Sequence, residues 1–183
     1  MNEVRAIRKE FEDIIHQFFS NEQREKLLKF LDYLDELGFF TAPASTKWHN
    51  AFDGGLAQHS LNVAKVAIEL YSVLKPDIPI QKVVFVGLFH DVGKVGLYNN
   101  PTYVKTEEGY KKGCRINHAS LSLYHLSKFF DLDEDEIHAI LYHNGLYDGL
   151  GDELKNNEKP LTLILHWADM WVSRFIDERR SDS

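Results

Sequence analysis

Six side chains with metal-ligating chemistry punctuate this chain: His59, His90, Asp91, His118, His143 and Asp169, at intervals of 31, 1, 27, 25 and 26 residues. Each long interval has the length of one helix plus its connection, which returns a chain to the same end of a helical bundle, where ligands on facing helices converge. The set holds imidazole and carboxylate without thiolate, which suits a divalent transition metal such as iron, manganese, zinc, nickel or cobalt. His59, His90, Asp91 and Asp169 make one site. His118 and His143 add a second, with Asp91 bridging, because a carboxylate has two oxygens and an imidazole only one free lone pair. Two ions roughly 3.5–4 Å apart acidify water and polarise a phosphoryl oxygen. The run "VVFVGLF" leads straight into His90 and Asp91. A buried carboxylate is costly unless a cation or hydrogen bonds hold it, so positive charge is expected there.

The elements that must carry these residues are helices. Val4, Ile7, Phe11, Ile14, Ile15 and Phe18 recur at three and four, which predicts a helix from Asn2 to about Phe19. Ser20 and Gln23 have capping-box spacing, and a second helix runs to Leu37, where Gly38 ends it. A long irregular connection, "FFTAPASTKWHNAFDGG", precedes a third helix that starts near Leu56. Pro79 is read as the first residue of a fourth. Periodicity fails between Gly96 and Ile116, and "YVKTEEGYKKG" predicts a β-hairpin or flap. Asn117 caps a fifth helix through Phe130, Asp133 and Glu136 start a sixth, and after a polar loop the last runs from Pro160 to Asp177. The expected fold is an all-α helical bundle with a short hairpin or flap near residues 97–115. It is one domain over residues 1–183, with an N-terminal helical pair at 1–37 and a metal-binding core at 48–178. The pair either completes the core or forms a homodimer interface.

Composition excludes several classes. Hydrophobic residues make 44% and charged residues 27% of the chain, as in ordinary globular proteins. No apolar run approaches the roughly 20 residues that span a bilayer, and the charged N-terminus does not read as a signal peptide. With one cysteine, Cys114, no intrachain disulfide forms, which fits a cytoplasmic protein. A net charge of −7 argues against a dedicated duplex-binding surface.

"H…HD…D" with "HDVGK" resembles the HD superfamily of metal-dependent phosphohydrolases, from about Trp48 to Arg174. His118 and His143 match its six-ligand, two-metal branch. "KWHNAFDGGLAQHSLNV" is similar to the HD part of the YhaM-type 3′–5′ exoribonucleases, and "AILYHNG" and "LHWADMWVSR" to YqeK-type dinucleoside polyphosphate hydrolases. The resemblance implies two divalent transition-metal ions and hydrolysis of a nucleotide-type substrate, whether phosphodiester, phosphoanhydride or phosphomonoester. It makes Asp91 and Lys94 the catalytic pair, with Lys94 also holding a substrate phosphate. Arg174 meets a phosphate or a neighbouring helix. Lys105, Lys111, Lys112 and Arg115 clamp a polyphosphate or nucleotide, or form a solvated hairpin face. Trp48, with His49 and Asp53, walls the pocket and stacks on a base, or anchors its loop in the core. His166 either supports the ligands or is a buried hydrogen-bonded histidine. His16, His125 and His138 are expected on helix surfaces, and Trp167 and Trp171 in the core. The partner is a nucleotide or other phosphorylated small molecule; short RNA ranks lower, given the acidic balance and no recognisable OB-type module. Two rival readings are a di-iron oxygenase on the same six ligands and a non-catalytic nucleotide sensor, which would lack ligands that are all present here.

Overall fold

A computed structural model describes residues 2–147 and 149–177. The fold is all-α apart from one hairpin. Helices α1 (Asn2–Phe18) and α2 (Asn21–Glu36) meet at Ser20, whose side chain accepts from the Gln23 N–H while the Gln23 side chain accepts from the Ser20 N–H. Both halves of the capping box read from "SNEQ" are formed. α3 (Gly55–Leu74) follows the long connection, and α4 (Ile80–Phe89) starts one position later than expected, with Pro79 as its N-cap residue. All of residues 83–89 are buried. A 3₁₀ turn, Val92–Val95, then leads to strands β1 (Tyr103–Thr106) and β2 (Gly109–Lys112), paired antiparallel where a hairpin was expected.

α5 (His118–Leu126) is capped by Asn117 and stops short of Phe130; α6 (Glu134–Leu141) starts on an Asp133–Glu136 capping box. The expected polar loop holds a 3₁₀ turn at Gly145–Tyr147 and a short α7 (Gly151–Leu154). α8 (Pro160–Trp171) ends in a π turn, Val172–Ile176, so the predicted single helix to Asp177 changes its winding before it gets there. Among the described residues no helix is long and apolar enough to cross a membrane.

One aromatic cluster explains what the N-terminal pair is for. Phe11 of α1 packs edge-to-face on Phe39 and Phe40, and Phe30 of α2 on Phe89 and Phe130, with ring centroids 5.3–5.8 Å apart. Phe11, Ile15, Phe30, Leu31 and Leu34 are all 0% exposed, so α1 and α2 complete the core. α3 and α4 touch backbone to backbone at Gly87, where a Cβ would lie 2.8 Å from Ala64 Cα. That close approach brings the residues near the helix ends, His59 and His90, side by side.

Three side chains correct the sequence reading. Trp167 and Trp171, expected in the core, are 41% and 54% exposed because Leu161, Ile164, Leu165 and Ala168 fill the inner face of α8. His125, expected on a helix surface, is 1% exposed. Its Nε2 lies 2.8 Å from the Gly96 carbonyl, which can only accept, so Nδ1 accepts from the Tyr33 hydroxyl at 2.8 Å. Burial pushes the His125 pKa down, the Gly96 carbonyl opposes this and Lys128 reinforces it. The sign follows: the unfolded chain takes the proton first as pH falls through about 6.5, so stability declines below that pH. Thermal melts at about pH 5 and pH 7.5 should show a smaller acid loss for His125→Gln than for the wild type; equal losses would show that His125 does not contribute. His138 is half-buried, with Nδ1 2.6 Å from the Thr162 hydroxyl, and His16 is exposed.

Candidate metal centre

Each residue of the six-member set sits at or near an end of its element. His59 is in the second turn of α3, His90 caps the end of α4 and Asp91 follows it. His118 opens α5, His143 lies just past α6, and Asp169 is in the last turn of α8. The structure brings all six together around Asp91. Its Oδ2 is 3.4 Å from His59 Nε2 and 3.5 Å from His90 Nε2, and its Oδ1 is 3.4 Å from His118 Nε2 and 3.6 Å from His143 Nε2. Asp169 Oδ1 lies 3.2 Å from His59 Nε2. One carboxylate thus divides four imidazoles into two pairs.

The other ring nitrogens decide what these imidazoles present. His90 Nδ1 lies 3.1 Å from the Gly87 carbonyl and His143 Nδ1 2.7 Å from the Ile140 carbonyl. Both carbonyls belong to last helical turns and lack a partner within the helix. Because a carbonyl only accepts, Nδ1 carries the proton and Nε2 turns a lone pair inward. His59 Nδ1 donates to the Asp177 carboxylate at 2.7 Å, with the same result.

Buried polar atoms then test whether a cation fits. His59 Nε2, His90 Nε2 and both oxygens of Asp91 are buried without a well-aligned hydrogen bond. Such an atom costs about 1–3 kcal/mol when left unmatched; Asp91 Oδ2 has the Lys94 ammonium beside it, and the other three converge on one point. The groups His59–His90–Asp169 and His90–Asp91–His143 each offer ligand atoms within 4.8 Å of one another. The donor set fits a divalent transition metal.

The electrostatics agree. Burial pushes His90 down to about 4 and His118 down to about 3, so both are neutral and ligand-ready at pH 7. Burial also disfavours charge on His59, but Asp169, Asp177 and Asp91 outweigh it and raise its pKa well above the usual value; His143 is raised by Asp91 in the same way. Lys94, in the 3₁₀ turn, has its Nζ 2.6 Å from Asp91 Oδ2 and a side chain 11% exposed. Burial works against its charge and Asp91 outweighs burial, so its pKa is raised. Asp91 in turn is held well below the carboxylate range: burial would raise it, and Lys94 and His90 prevail.

Beside this cluster lies a cavity of about 530 Å³ whose lining includes Trp48, His49, Asn144, Tyr147, Asp169 and Arg174. Trp48 is 72% exposed, so it is not a loop anchor in the core, and Tyr147, which sequence reading did not single out, is 76% exposed. His166 also lines this cavity; its Nδ1 is 2.8 Å from the His143 carbonyl. Lys105 lines a neighbouring cavity with Lys94 and Tyr103, and its ammonium pairs with Asp53, which also accepts from the Tyr110 hydroxyl. Lys111, Lys112 and Arg115 are exposed, with no ion pair to the cluster among the described residues.

Asp177 is the residue that sequence reading missed. It is buried, 118 residues from His59, and the sequence reading has it only as the end of the last helix. The available signal was a lone carboxylate about two turns beyond Asp169, too weak to separate from the acidic and basic residues after it.

A family model described as HD domain matches residues 56–170, a span that contains all six cluster residues but neither Trp48 nor Asp177. The 3′–5′ exoribonuclease YhaM of Bacillus subtilis (strain 168) is 33% identical over 150 residues, which cover 74% of this chain and 45% of that protein. The dihydroneopterin 2′,3′-cyclic phosphate phosphodiesterase of Methanocaldococcus jannaschii is 27% identical over 144 residues, 74% of this chain and 53% of that protein. The chain therefore spans about half the length of the curated relatives it matches. No solved structure matches.

Proposed function

This chain belongs to the HD domain family, and from that membership we propose that it is a metal-dependent phosphohydrolase acting on nucleotide-type substrates. The observation that carries the reading is Asp91, a buried carboxylate with two imidazoles facing each oxygen. His59, His90, Asp91 and Asp169 would hold one ion, and His118, His143 and Asp91 a second. Bound there, divalent transition metals supply Lewis-acid charge for a phosphoryl oxygen and acidify water toward neutral pH.

The chain's own side chains do the rest. Lys94 keeps a charged ammonium against Asp91 and can hold a phosphate oxygen by a charge-assisted hydrogen bond. Arg174 offers a second cation at the cavity wall. The two exposed aromatics, Trp48 and Tyr147, present flat faces on which a base can stack. The names of the two relatives, an exoribonuclease and a cyclic phosphate phosphodiesterase, support a phosphodiester as the bond cleaved. The net charge of −7 favours a nucleotide or dinucleotide over a long RNA track, and the single cysteine suits the cytoplasm.

The test is hydrolysis of a thymidine p-nitrophenyl phosphodiester by protein loaded in turn with manganese, iron, cobalt, nickel and zinc. Release should require metal, stop with a chelator and return on reloading. Failure to cleave this diester, a nucleoside cyclic phosphate or a nucleoside monophosphate with any of the five metals would remove the reading. Trp48→Ala should raise KM for the nucleoside ester roughly 5- to 150-fold, from a stacking energy of about 1–3 kcal/mol per base. Methyl p-nitrophenyl phosphate, which has no base, is the comparison; an unmoved KM for the nucleoside ester would exclude stacking on Trp48.

A further inference from the structure

His59 is fixed in a different way from His90 and His143. His90 and His143 donate Nδ1–H to backbone carbonyls, whereas His59 donates to a carboxylate, Asp177, whose side chain is 0% exposed. That carboxylate is held at both oxygens. Oδ2 takes the His59 N–H at 2.7 Å, and Oδ1 takes Asn62 Nδ2–H at 3.1 Å from one turn further along α3. The Asn62 amide oxygen in turn accepts from Gln58 Nε2 at 3.1 Å. The backbone places Asp177 as deliberately. Its N–H reaches back five residues to the Val172 carbonyl at 2.9 Å and closes the π turn that ends α8. π turns inside or at the ends of α-helices commonly mark functional sites.

The two halves of the centre therefore differ. On one side, His59, His90 and Asp91 Oδ2 are joined by Asp169, with Asp177 behind. On the other, His118 and His143 face Asp91 Oδ1, the amide of Asn144 lies 3.3 Å from His118 Nε2, and His118 is 25% exposed. Among the described residues, the first side has three carboxylates, Asp91, Asp169 and Asp177, and the second has Asp91. A carboxylate behind a ligating imidazole fixes its tautomer and ring plane and raises its basicity, and losing such a partner typically costs 10- to 100-fold in metal affinity.

Resting on the metal-dependent reading above, we propose that Asp177 is a positioning residue that makes the His59–His90–Asp169 half-site the tighter of two inequivalent metal sites. The metal centre thus extends beyond the matched segment, which ends at residue 170. The π turn belongs to it.

Titration of the metal-free full chain with cobalt(II), followed by its visible absorption, tests this. The wild type should fill in two steps. Asp177→Ala should weaken the tight step roughly 10- to 100-fold and leave the weaker one within about twofold. Asp177→Asn should recover part of the loss, because its amide oxygen can still accept the His59 N–H. Leu34→Ala, a buried change in α2, should lower the melting temperature without moving either step. A single class of cobalt site, an unchanged tight step in Asp177→Ala, or equal weakening by Leu34→Ala would each overturn the inference while leaving the phosphohydrolase reading intact. A wild-type chain that binds none of manganese, iron, cobalt, nickel and zinc would overturn both.

Discussion

Asp91→Ala is expected to lower phosphoester turnover by at least about 10³-fold, equivalent to about 4 kcal/mol of transition-state stabilisation, and to leave less than one metal per chain. No other side chain in the centre has comparable reach: its two oxygens face His59, His90, His118 and His143, and Lys94 Nζ lies 2.6 Å from Oδ2. The substitution removes charge from both half-sites at once. It also strands the Lys94 ammonium, and breaking one partner of a buried ion pair typically costs about 3–5 kcal/mol. Loss of activity could then follow from a loosened fold, so the double variant Asp91→Ala/Lys94→Met separates the causes. It should regain much of the stability and none of the turnover. Elemental analysis, denaturant melts and steady-state rates on the three proteins decide the matter. An Asp91→Ala chain that keeps two metals and its rate would dismiss the bridging role altogether.

The same centre shows what a sequence can and cannot announce. His59, His90, Asp91, His118, His143 and Asp169 were readable because each sits near an end of its helix, and helix lengths and connections are set by caps and periodicity that are local in sequence. The Ser20–Gln23 and Asp133–Glu136 boxes are of that kind, and both formed. Asp177 depends instead on a π turn, which no local pattern in "VSRFID" specifies, and on a partner 118 residues away. His125 was misjudged for a related reason. The apolar phase of a nine-residue helix is short, and burial of its ring comes from Tyr33 of α2 and the Gly96 carbonyl closing over it. Trp167 and Trp171 show the converse: hydrophobic character at a spacing of four suggests a core face, but smaller side chains had already filled it. The family resemblance has Lys94 facing the site, and its Nζ lies 2.6 Å from Asp91 Oδ2, whereas nothing in the spacing of Lys105 reveals its pairing with Asp53 across the neighbouring cavity.

Gly93→Ala is expected to destabilise the metal-free protein by about 3 kcal/mol, the upper part of the range for overpacking, and to strip the His118 side of the centre first. A Cβ at Gly93 would lie 2.0 Å from the His118 carbonyl oxygen, 2.4 Å from Ser122 N and 2.8 Å from the Leu121 carbonyl carbon. All three are backbone atoms of α5, so no side-chain rotation relieves the clash. Gly93 is not among the glycines with positive φ, and backbone strain therefore adds nothing; the effect is steric alone. The Gly93 N–H also donates to Ser122 Oγ at 2.8 Å, a second tie between the 3₁₀ turn and α5 that must stretch if the two separate. Since His118 is the first residue of α5 and Asp91 immediately precedes the turn, any separation opens the 3.4 Å gap between His118 Nε2 and Asp91 Oδ1. His59, His90 and Asp169 lie on α3, α4 and α8 and are not pushed directly. At about 2–4 °C per kcal/mol for a chain of this size, the melting temperature should fall by roughly 6–12 °C. In the cobalt titration the weaker step should fade while the tighter one persists, the reverse of the Asp177→Ala pattern. Equal loss of both steps would mean that the centre moves as one rigid unit, and a melting temperature unchanged from the wild type would mean that α5 can give way at no cost, contrary to the close backbone contact at Gly93.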